Sequence, residues 1–233
     1  MLTLTVDSGA SFTKAVLWKD RKIIKYYFDK KLPKADKIIK VIPAREFESL
    51  GKGGLFLSGL KSAVVVSCGT GTAIVWAEKN KSVVHLGGTG VGGGTLQGLG
   101  KLILKIDSVT KILQWAKIGK RIKVDLTVGD ILGTGIGLLN PEMTAANFGK
   151  LKSQKKTDLA QALVNMVGEI IGMTACLAAG KTHEKKIVFC GLVATNKLMQ
   201  KVISGVCEMF KLRAVFPKHG EFATAIGAFR DYP

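Results

Sequence analysis

Two stretches of the chain repeat one pattern. Residues 2–6 alternate apolar residues with threonine, a strand pattern, and run into Asp7-Ser8-Gly9-Ala10-Ser11-Phe12-Thr13-Lys14 before a second strand at residues 14–18. Residues 63–66 are wholly apolar, run into Ser67-Cys68-Gly69-Thr70-Gly71-Thr72 and resume as a strand at residues 73–77. Either unit alone reads as a plain hairpin. The pair repeats one architecture, strand, small-residue turn, strand, and the repetition is stronger evidence than either unit alone. The turn residues also suit phosphate. Asp7 at a strand end can hold Mg²⁺ through water, because magnesium prefers carboxylate oxygens and keeps several waters. Gly9 lets the backbone approach a phosphate, and Ser11 and Lys14 supply a hydroxyl and a cation. In the second turn Gly69 and Thr70 would do the same, with Thr70 and Thr72 also able to bond an acceptor.

Between the second hairpin and the first long helical pattern lies the densest glycine stretch, with six glycines between positions 87 and 94. A third strand of this half, residues 82–86, feeds it. Flexible linkers are polar and serine-rich; this stretch is flanked by apolar segments. Leu96, Leu99, Leu102 and Ile103 then recur at helical spacing, so a helix is expected from about Thr95, with residues 99–115 helical. A glycine loop entering a helix N-terminus suits an anion, since free N–H groups and the helix dipole both favour negative charge. The order is neither a Walker A loop nor a Rossmann fingerprint, as no Gly-Lys-Ser/Thr ends it.

Composition narrows the class. A length of 233 residues allows one large domain or two small lobes, and 47% apolar content suffices for a buried core. No run of 18 uninterrupted apolar residues occurs; the nearest, residues 162–179, contains Asn165 and Glu169, so no membrane span is expected. The N-terminus reads directly as a strand, without a signal-peptide pattern. Four dispersed cysteines without a Cys-x-x-Cys pair argue against zinc or a disulfide framework and for a reducing, cytoplasmic setting. The net charge of +18 would attract polyanions, but the basic residues are scattered and no nucleic-acid motif accompanies them, so they read as a solvated surface.

The remaining elements follow in order. Residues 22–28 read as a strand, 29–40 as a lysine-rich segment with Pro33, and 37–42 as a short strand. Glu46 and Glu48, two residues apart, do not share a helix face and suit a helix's first turn. Residues 157–179 form the strongest helix, capped by Thr157, with Asp158 favoured by the dipole. On it, Gly168 and Gly172 permit close helix packing, within the chain or across a dimer, and Glu169 reads as a hydrogen-bonded structural group. A strand at 186–190, a turn from Gly191, a helix at 197–210, a strand at 212–216 and a last helix from Phe222 complete the chain. Strand, glycine turn, helix is a normal nucleotide arrangement in α/β sheets.

The order Gly87-Gly88-Thr89-Gly90-Val91-Gly92-Gly93-Gly94-Thr95-Leu96-Gln97-Gly98-Leu99 resembles the signature of the type II pantothenate kinases. Other segments look like the same family: Asp7 to Lys14, where Ala10 and Ser11 replace Gly and Thr; Glu46-Phe47-Glu48 ahead of Lys52-Gly53; Leu126-Thr127-Val128-Gly129-Asp130; Asn147-Phe148-Gly149; and Ala225-Ile226-Gly227-Ala228. The resemblance covers residues 1–28 and 42–231. It implies a two-lobed actin-like ATPase (ribonuclease H-like) fold with duplicated phosphate hairpins. The first lobe, 1–60, is contracted, lacking the family's usual helix, strand and Thr-Gly-Gly turn; the second is 61–233.

The resemblance further implies ATP- and Mg²⁺-dependent phosphorylation of pantothenate, the first step toward coenzyme A, by a cytoplasmic homodimer. Glu46 becomes the catalytic base and Asp7 the metal ligand. Gly9, Ser11, Lys14, Gly69, Thr70, Gly90, Gly92, Gly93 and Gly94 would take the phosphates, and Gly191 and Phe222 the rest of the nucleotide. Thr70, Thr72, His85 and Gly87 would meet the acceptor. At position 85 the family usually has an arginine. Histidine cannot make arginine's bidentate fork to a carboxylate, so two alternatives stay open: a kinase or ATPase of this superfold with another acceptor, and a nucleotide-binding regulator without catalysis.

Overall fold

A computed structural model describes residues 1–29, 31–135 and 140–230. Lys30 of the lysine-rich segment and residues 231–233 of the expected second lobe lie outside them. In chain order the elements are β1 (Leu2–Ser8), β2 (Thr13–Lys19), β3 (Lys22–Phe28), β4 (Lys37–Lys40), α1 (Glu46–Ser58), β5 (Ser62–Cys68), β6 (Thr72–Glu78), β7 (Val84–Thr89), α2 (Gly93–Leu99) and α3 (Val109–Ala116). Then come β8 (Leu126–Thr127), α4 (Val128–Leu132), β9 (Thr144–Ala146), α5 (Lys156–Ala179), β10 (Lys186–Cys190), α6 (Lys197–Met209), β11 (Arg213–Val215) and α7 (Ala223–Arg230).

The duplication is explicit in the two main sheets. The first is ordered β3-β2-β1-β4, an antiparallel meander with β4 added parallel to β1. The second is ordered β7-β6-β5-β10-β11, the same meander with β10 parallel to β5, plus one further parallel strand. The first sheet is the smaller, four strands against five. Its central strands, β1 and β2, are buried on both faces. Leu4 and Val6 pack with Ala15 and Leu17 on one side. On the other, Trp18 donates its Nε1–H to Thr5 Oγ1 at 3.0 Å, and the Thr5 hydroxyl donates to the Val16 carbonyl. This pairing lets a threonine sit in the core without an unsatisfied hydroxyl.

Between the sheets lie α1 and α7. Leu50 and Leu55 of α1 pack on Val65, Val75 and Val188 of the second sheet. Ala225 and Ile226 of α7 pack on Val16 and Trp18 of the first. The two helices cross with backbones touching: a Cβ on Gly53 would lie 1.8 Å from the Ala223 carbonyl oxygen, and one on Gly227 would lie 1.7 Å from that of Ser49. Only glycine allows that approach. The opposite face of the second sheet carries the largest core, in which Leu163 and Ile171 of α5 meet Val64, Val66 and Ile74. Each such side chain contributes about 1.5–3 kcal/mol on burial.

Some expectations are corrected. The helix expected over 99–115 is two helices. A π turn, Gly100–Leu104, follows α2; Lys105 takes a left-handed φ of 59°; and Ser108, accepting from the Lys111 N–H, caps a new helix. Strand β4 stops at Lys40 because Pro43 opens a 3₁₀ turn into α1. Thr157 does not cap α5, which starts at Lys156 with no side-chain cap. The Asp158 carboxylate instead accepts from the Lys120 N–H at 2.8 Å and the Ser153 hydroxyl at 2.6 Å, tying α5 to the preceding loops. Gly168 and Gly172 pack within the chain, against Met199, Val202 and Val206 of α6. By length and composition α5 could cross a membrane, but 67% of its most apolar window is buried inside the protein.

Candidate active site

The two hairpin turns meet. Gly9 N–H closes the first on the Phe12 carbonyl, and Gly69 N–H closes the second on the Gly71 carbonyl. Across the gap Ser11 Oγ and Thr70 Oγ1 are hydrogen-bonded at 2.8 Å, both on exposed residues. Asp7, directly opposite Lys14 in the β1–β2 register, lies 3.8 Å from its Nζ, and both side chains are largely buried. Burial raises the Asp7 carboxyl above the usual aspartate range, and the Lys14 ammonium pulls it only partly back. Asp7, Gly9, Ser11, Lys14, Gly69 and Thr70 therefore form one neighbourhood, as their residue types suggested.

The glycine stretch plays a different part from the one expected. The Gly93 and Gly94 N–H groups, read from the sequence as phosphate donors, donate to the Gly69 and Thr70 carbonyls at 2.8 and 2.9 Å. They hold the second hairpin rather than wait for an anion. The glycines are needed because backbone lies on backbone: a Cβ on Gly88 would be 2.3 Å from the Thr72 carbonyl oxygen, and one on Gly92 would be 2.6 Å from that of Thr70. Thr72, expected to touch the acceptor, is buried, and its hydroxyl donates to the Val91 carbonyl at 2.8 Å. Thr95, which the sequence reading did not single out, accepts from the Gly92 N–H and donates to the Gly90 carbonyl, so it shapes the loop's exit. Gly90 and Gly87 have open space at their Cα atoms and stay accessible to a ligand.

Gly191 comes up against the base of the same hairpin. At φ 92° its backbone lies on Cys68, and its N–H donates to the Gly220 carbonyl. Helix α6, which follows the turn, is capped by Asn196, whose side chain accepts from the Leu198 and Met199 N–H groups. Phe222 is corrected: it is 5% exposed and packed in the core with Val16, Trp18 and Ile226, with Tyr26 and Phe28 against it. Its ring is not free to receive a nucleotide base. Glu169 accepts from Thr144 Oγ1 at 2.7 Å and Asn147 Nδ2 at 2.9 Å, fastening β9 to α5. Its role is structural. The same network buries Asp125, raised by that burial, with Arg121 3.6 Å away.

Glu46 is the first residue of α1 and exposed; its backbone N–H donates to the Pro43 carbonyl, and its side chain has no hydrogen bond or ion pair among the described residues. Glu48 is paired with Lys52 at 2.7 Å, one turn on. His85 lies flat on Phe47, ring centroids 4.2 Å apart and planes 4° from parallel. His85, expected to meet the acceptor, thus touches the residue next to the candidate base in the chain, a relation that no spacing in the sequence reveals.

Two matching sheets with facing hairpin turns, and a glycine turn packed beneath one of them, define a protein of the actin-like ATPase and sugar-kinase fold. Solved structures agree. The activator of the 2-hydroxyisocaproyl-CoA dehydratase from Clostridium difficile, with bound ADPNP, superposes with a TM-score of 0.64 at 12% identity, covering 98% of this chain and 92% of that one. A ROK family glucokinase from Streptomyces griseus, in complex with glucose and AMPPNP, superposes with a TM-score of 0.61 at 12% identity, covering 98% of each. The family itself is more specific. The Fumble family matches residues 59–231. The type II pantothenate kinase of Bacillus cereus (strain G9842) is 31% identical over 199 residues, 81% of this chain and 72% of the relative. That of Oceanobacillus iheyensis is 39% identical over 169 residues, 71% and 63% respectively. The chain belongs to the Fumble family of type II pantothenate kinases.

Proposed function

We propose that the protein transfers the γ-phosphoryl group of ATP to the primary hydroxyl of pantothenate. The observation that carries this is the meeting of the two hairpin turns, which brings a buried carboxylate, a cation and two hydroxyls together. The residues fit Mg-ATP. Among the described residues no group of three metal-ligating side chains occurs. A lone carboxylate beside a phosphate site is what Mg²⁺ arriving on a nucleotide uses. Asp7 would hold the ion, which when bound neutralises charge on the β- and γ-phosphate oxygens.

The chain's own residues supply the rest. Ser11 and Thr70 exchange their mutual hydrogen bond for bonds to phosphate oxygens, and Lys14 adds positive charge. Glu46 takes the proton of the acceptor hydroxyl as its oxygen bonds to the γ-phosphorus. The bond to the bridging oxygen breaks and its electron pair leaves with ADP. A second reading, phosphorylation of another small alcohol at the same site, is favoured by His85 in place of a bidentate cation. ADP release with and without pantothenate, in Mg²⁺, decides: pantothenate-dependent release supports the first reading, and its absence with ATP still bound supports the second.

We extend the proposal to a homodimer in the cytoplasm. Exposed Ile118, Ile122, Ile131 and Leu132 support a partner surface near α3 and α4. The four cysteines are free and buried, and burial pushes the Cys190 thiol up to about 12, which suits a reducing compartment. Light scattering on the purified protein tests the assembly.

A further inference from the structure

We propose that Cys176 and Cys207 form a latent disulfide between α5 and α6, one that a peroxide closes in the folded protein. Their sulfur atoms are hydrogen-bonded to one another at 3.7 Å, and both side chains are buried. A disulfide sets its sulfurs about 2.05 Å apart and needs backbones that approach closely. That approach exists here. Gly172 lies one turn before Cys176, and a Cβ on it would stand 2.9 Å from the Cβ of Val206, the residue before Cys207. The pair also lies near the ends of both helices, since α5 stops at Ala179 and α6 at Met209. Leu177, beside Cys176 in the chain, is 62% exposed, and Phe210, just past Cys207, is 37% exposed. The thiols thus sit under an edge of the structure, which a water-sized oxidant crosses when a last helical turn opens.

The pair is asymmetric. The hydrogen bond between the two sulfurs lowers the Cys176 thiol below the usual cysteine range and raises Cys207. Thiolates, not thiols, are the nucleophiles, so Cys176 reacts first. Its sulfur attacks one oxygen of hydrogen peroxide, the O–O bond breaks, and hydroxide leaves with the proton that Cys176 released, as water. The resulting sulfenic acid is attacked by the Cys207 sulfur. The S–O bond breaks, and its oxygen departs as a second water carrying the Cys207 proton. Two thiols and one peroxide become one disulfide and two waters; sulfur is oxidised and peroxide oxygen reduced. The other two cysteines cannot join in this way. Cys190 pairs with Ser67 in the β10–β5 register, which makes Cys68 a near neighbour, but side chains alternate along a strand. Cys68 faces the core under α5 and Cys190 the core under α1. Burial also raises both thiols, Cys190 to about 12, so neither offers a thiolate. The closed bond would join positions 31 residues apart and tie in β10 and the Gly191 turn between them.

The test treats the reduced, folded protein with hydrogen peroxide, removes the peroxide with catalase, and alkylates the remaining thiols in urea. Mass spectrometry of an unreduced digest should find the peptides of Cys176 and Cys207 joined, with Cys68 and Cys190 alkylated. The oxidised protein should melt higher by about 5–10 °C, because the bond restricts the unfolded chain, and dithiothreitol should reverse the shift. With dimedone present, Cys207→Ala should be labelled at Cys176, the sulfenic acid now having no thiol to condense with, and Cys176→Ala should not be labelled at Cys207. The wild-type digest needs neither variant to fold. Cys176 and Cys207 both recovered as alkylated thiols, a bond that uses Cys68 or Cys190 instead, or an oxidised protein that melts no higher than the reduced one would each overturn the proposal. Dimedone on Cys207 rather than Cys176 would overturn the order of attack.

Discussion

Ser11 and Thr70 share one hydrogen bond, hydroxyl to hydroxyl at 2.8 Å, between turns that belong to different sheets. A phosphate entering the site must take over both hydroxyls. Losing one such bond costs about 0.5–1.5 kcal/mol, so Ser11→Ala should raise the KM for ATP roughly 2- to 10-fold. Both residues are exposed, so the melting temperature without ligand should hardly move. Steady-state kinetics at varied ATP check this; a rise confined to the acceptor KM would contradict it.

Asp7 sets stability against function. Its folded-state carboxyl is raised, by desolvation first, with Lys14 opposing. A raised carboxyl binds its proton more tightly when folded, so its favourable contribution is complete below the unfolded value, about 4, and is lost as pH climbs through the higher folded value. At neutral pH the buried charge is a net cost. Asp7→Asn should therefore melt higher than wild type at pH 7 without nucleotide, with the two converging below about pH 4. The same variant should lose most of the Mg²⁺-dependent stabilisation by ATP. Thermal scans from pH 3 to 8, with and without Mg-ATP, measure both; a variant less stable than wild type at pH 7 would refute the first claim.

Glu46→Gln should lower kcat about 10²–10⁴-fold while ATP binding survives, the usual range for a general base. Glu48→Gln should cost less than about tenfold, because its partner is Lys52 of the same helix and such pairs contribute under about 1 kcal/mol. Single-turnover measurements on both variants make the comparison; a Glu48 variant that is the more damaged would move the base to position 48.

His85→Arg should lower the KM for pantothenate, by about tenfold if a charge-assisted bond to its carboxylate forms. The contact with Phe47 should persist, since guanidinium groups also stack on aromatic faces. If neither protein phosphorylates pantothenate although ATP binds, the acceptor is a different alcohol.

Gly88 and Gly98 should respond oppositely to alanine. At Gly88 the added Cβ would meet the Thr72 carbonyl oxygen at 2.3 Å, so Gly88→Ala should destabilise by about 3 kcal/mol or more. At Gly98, inside α2 with open space at its Cα, alanine should stabilise by about 0.5–1 kcal/mol. Urea titrations with a common m-value test the pair.

Much of this was legible in the sequence because it depends on local chemistry. The strand, turn, strand runs around Asp7 and around Gly69 declared the hairpins, and their repetition pointed to the matching sheets. Gly191 at a strand end marked a tight turn. Legibility failed where the deciding atom was far along the chain. A glycine run that welcomes phosphate and one that lies flat on a neighbouring hairpin look alike until Gly69 and Thr70 are seen to accept from Gly93 and Gly94. Phe222 looked available because nothing nearby in sequence shows Val16 and Trp18 covering it. Thr157 lost its capping role to a helix start one residue earlier, and Asp158 found partners on two loops.

The crossing of α1 and α7 dictates an order of events during synthesis. Val16 and Trp18 leave the ribosome some two hundred residues before the side chains that shield them, Phe222, Ala225 and Ile226. Contacts so distant along the chain form slowly, because the loop must close before they reward it. Strands β1 to β3 can therefore pair early, but one face of their sheet stays wet until α7 emerges. The second sheet buries Val64, Val66 and Ile74 beneath α5 without waiting for α7. The nascent protein is thus expected to mature from its C-terminal half backward, with its N-terminal sheet as the client that a chaperone would meet.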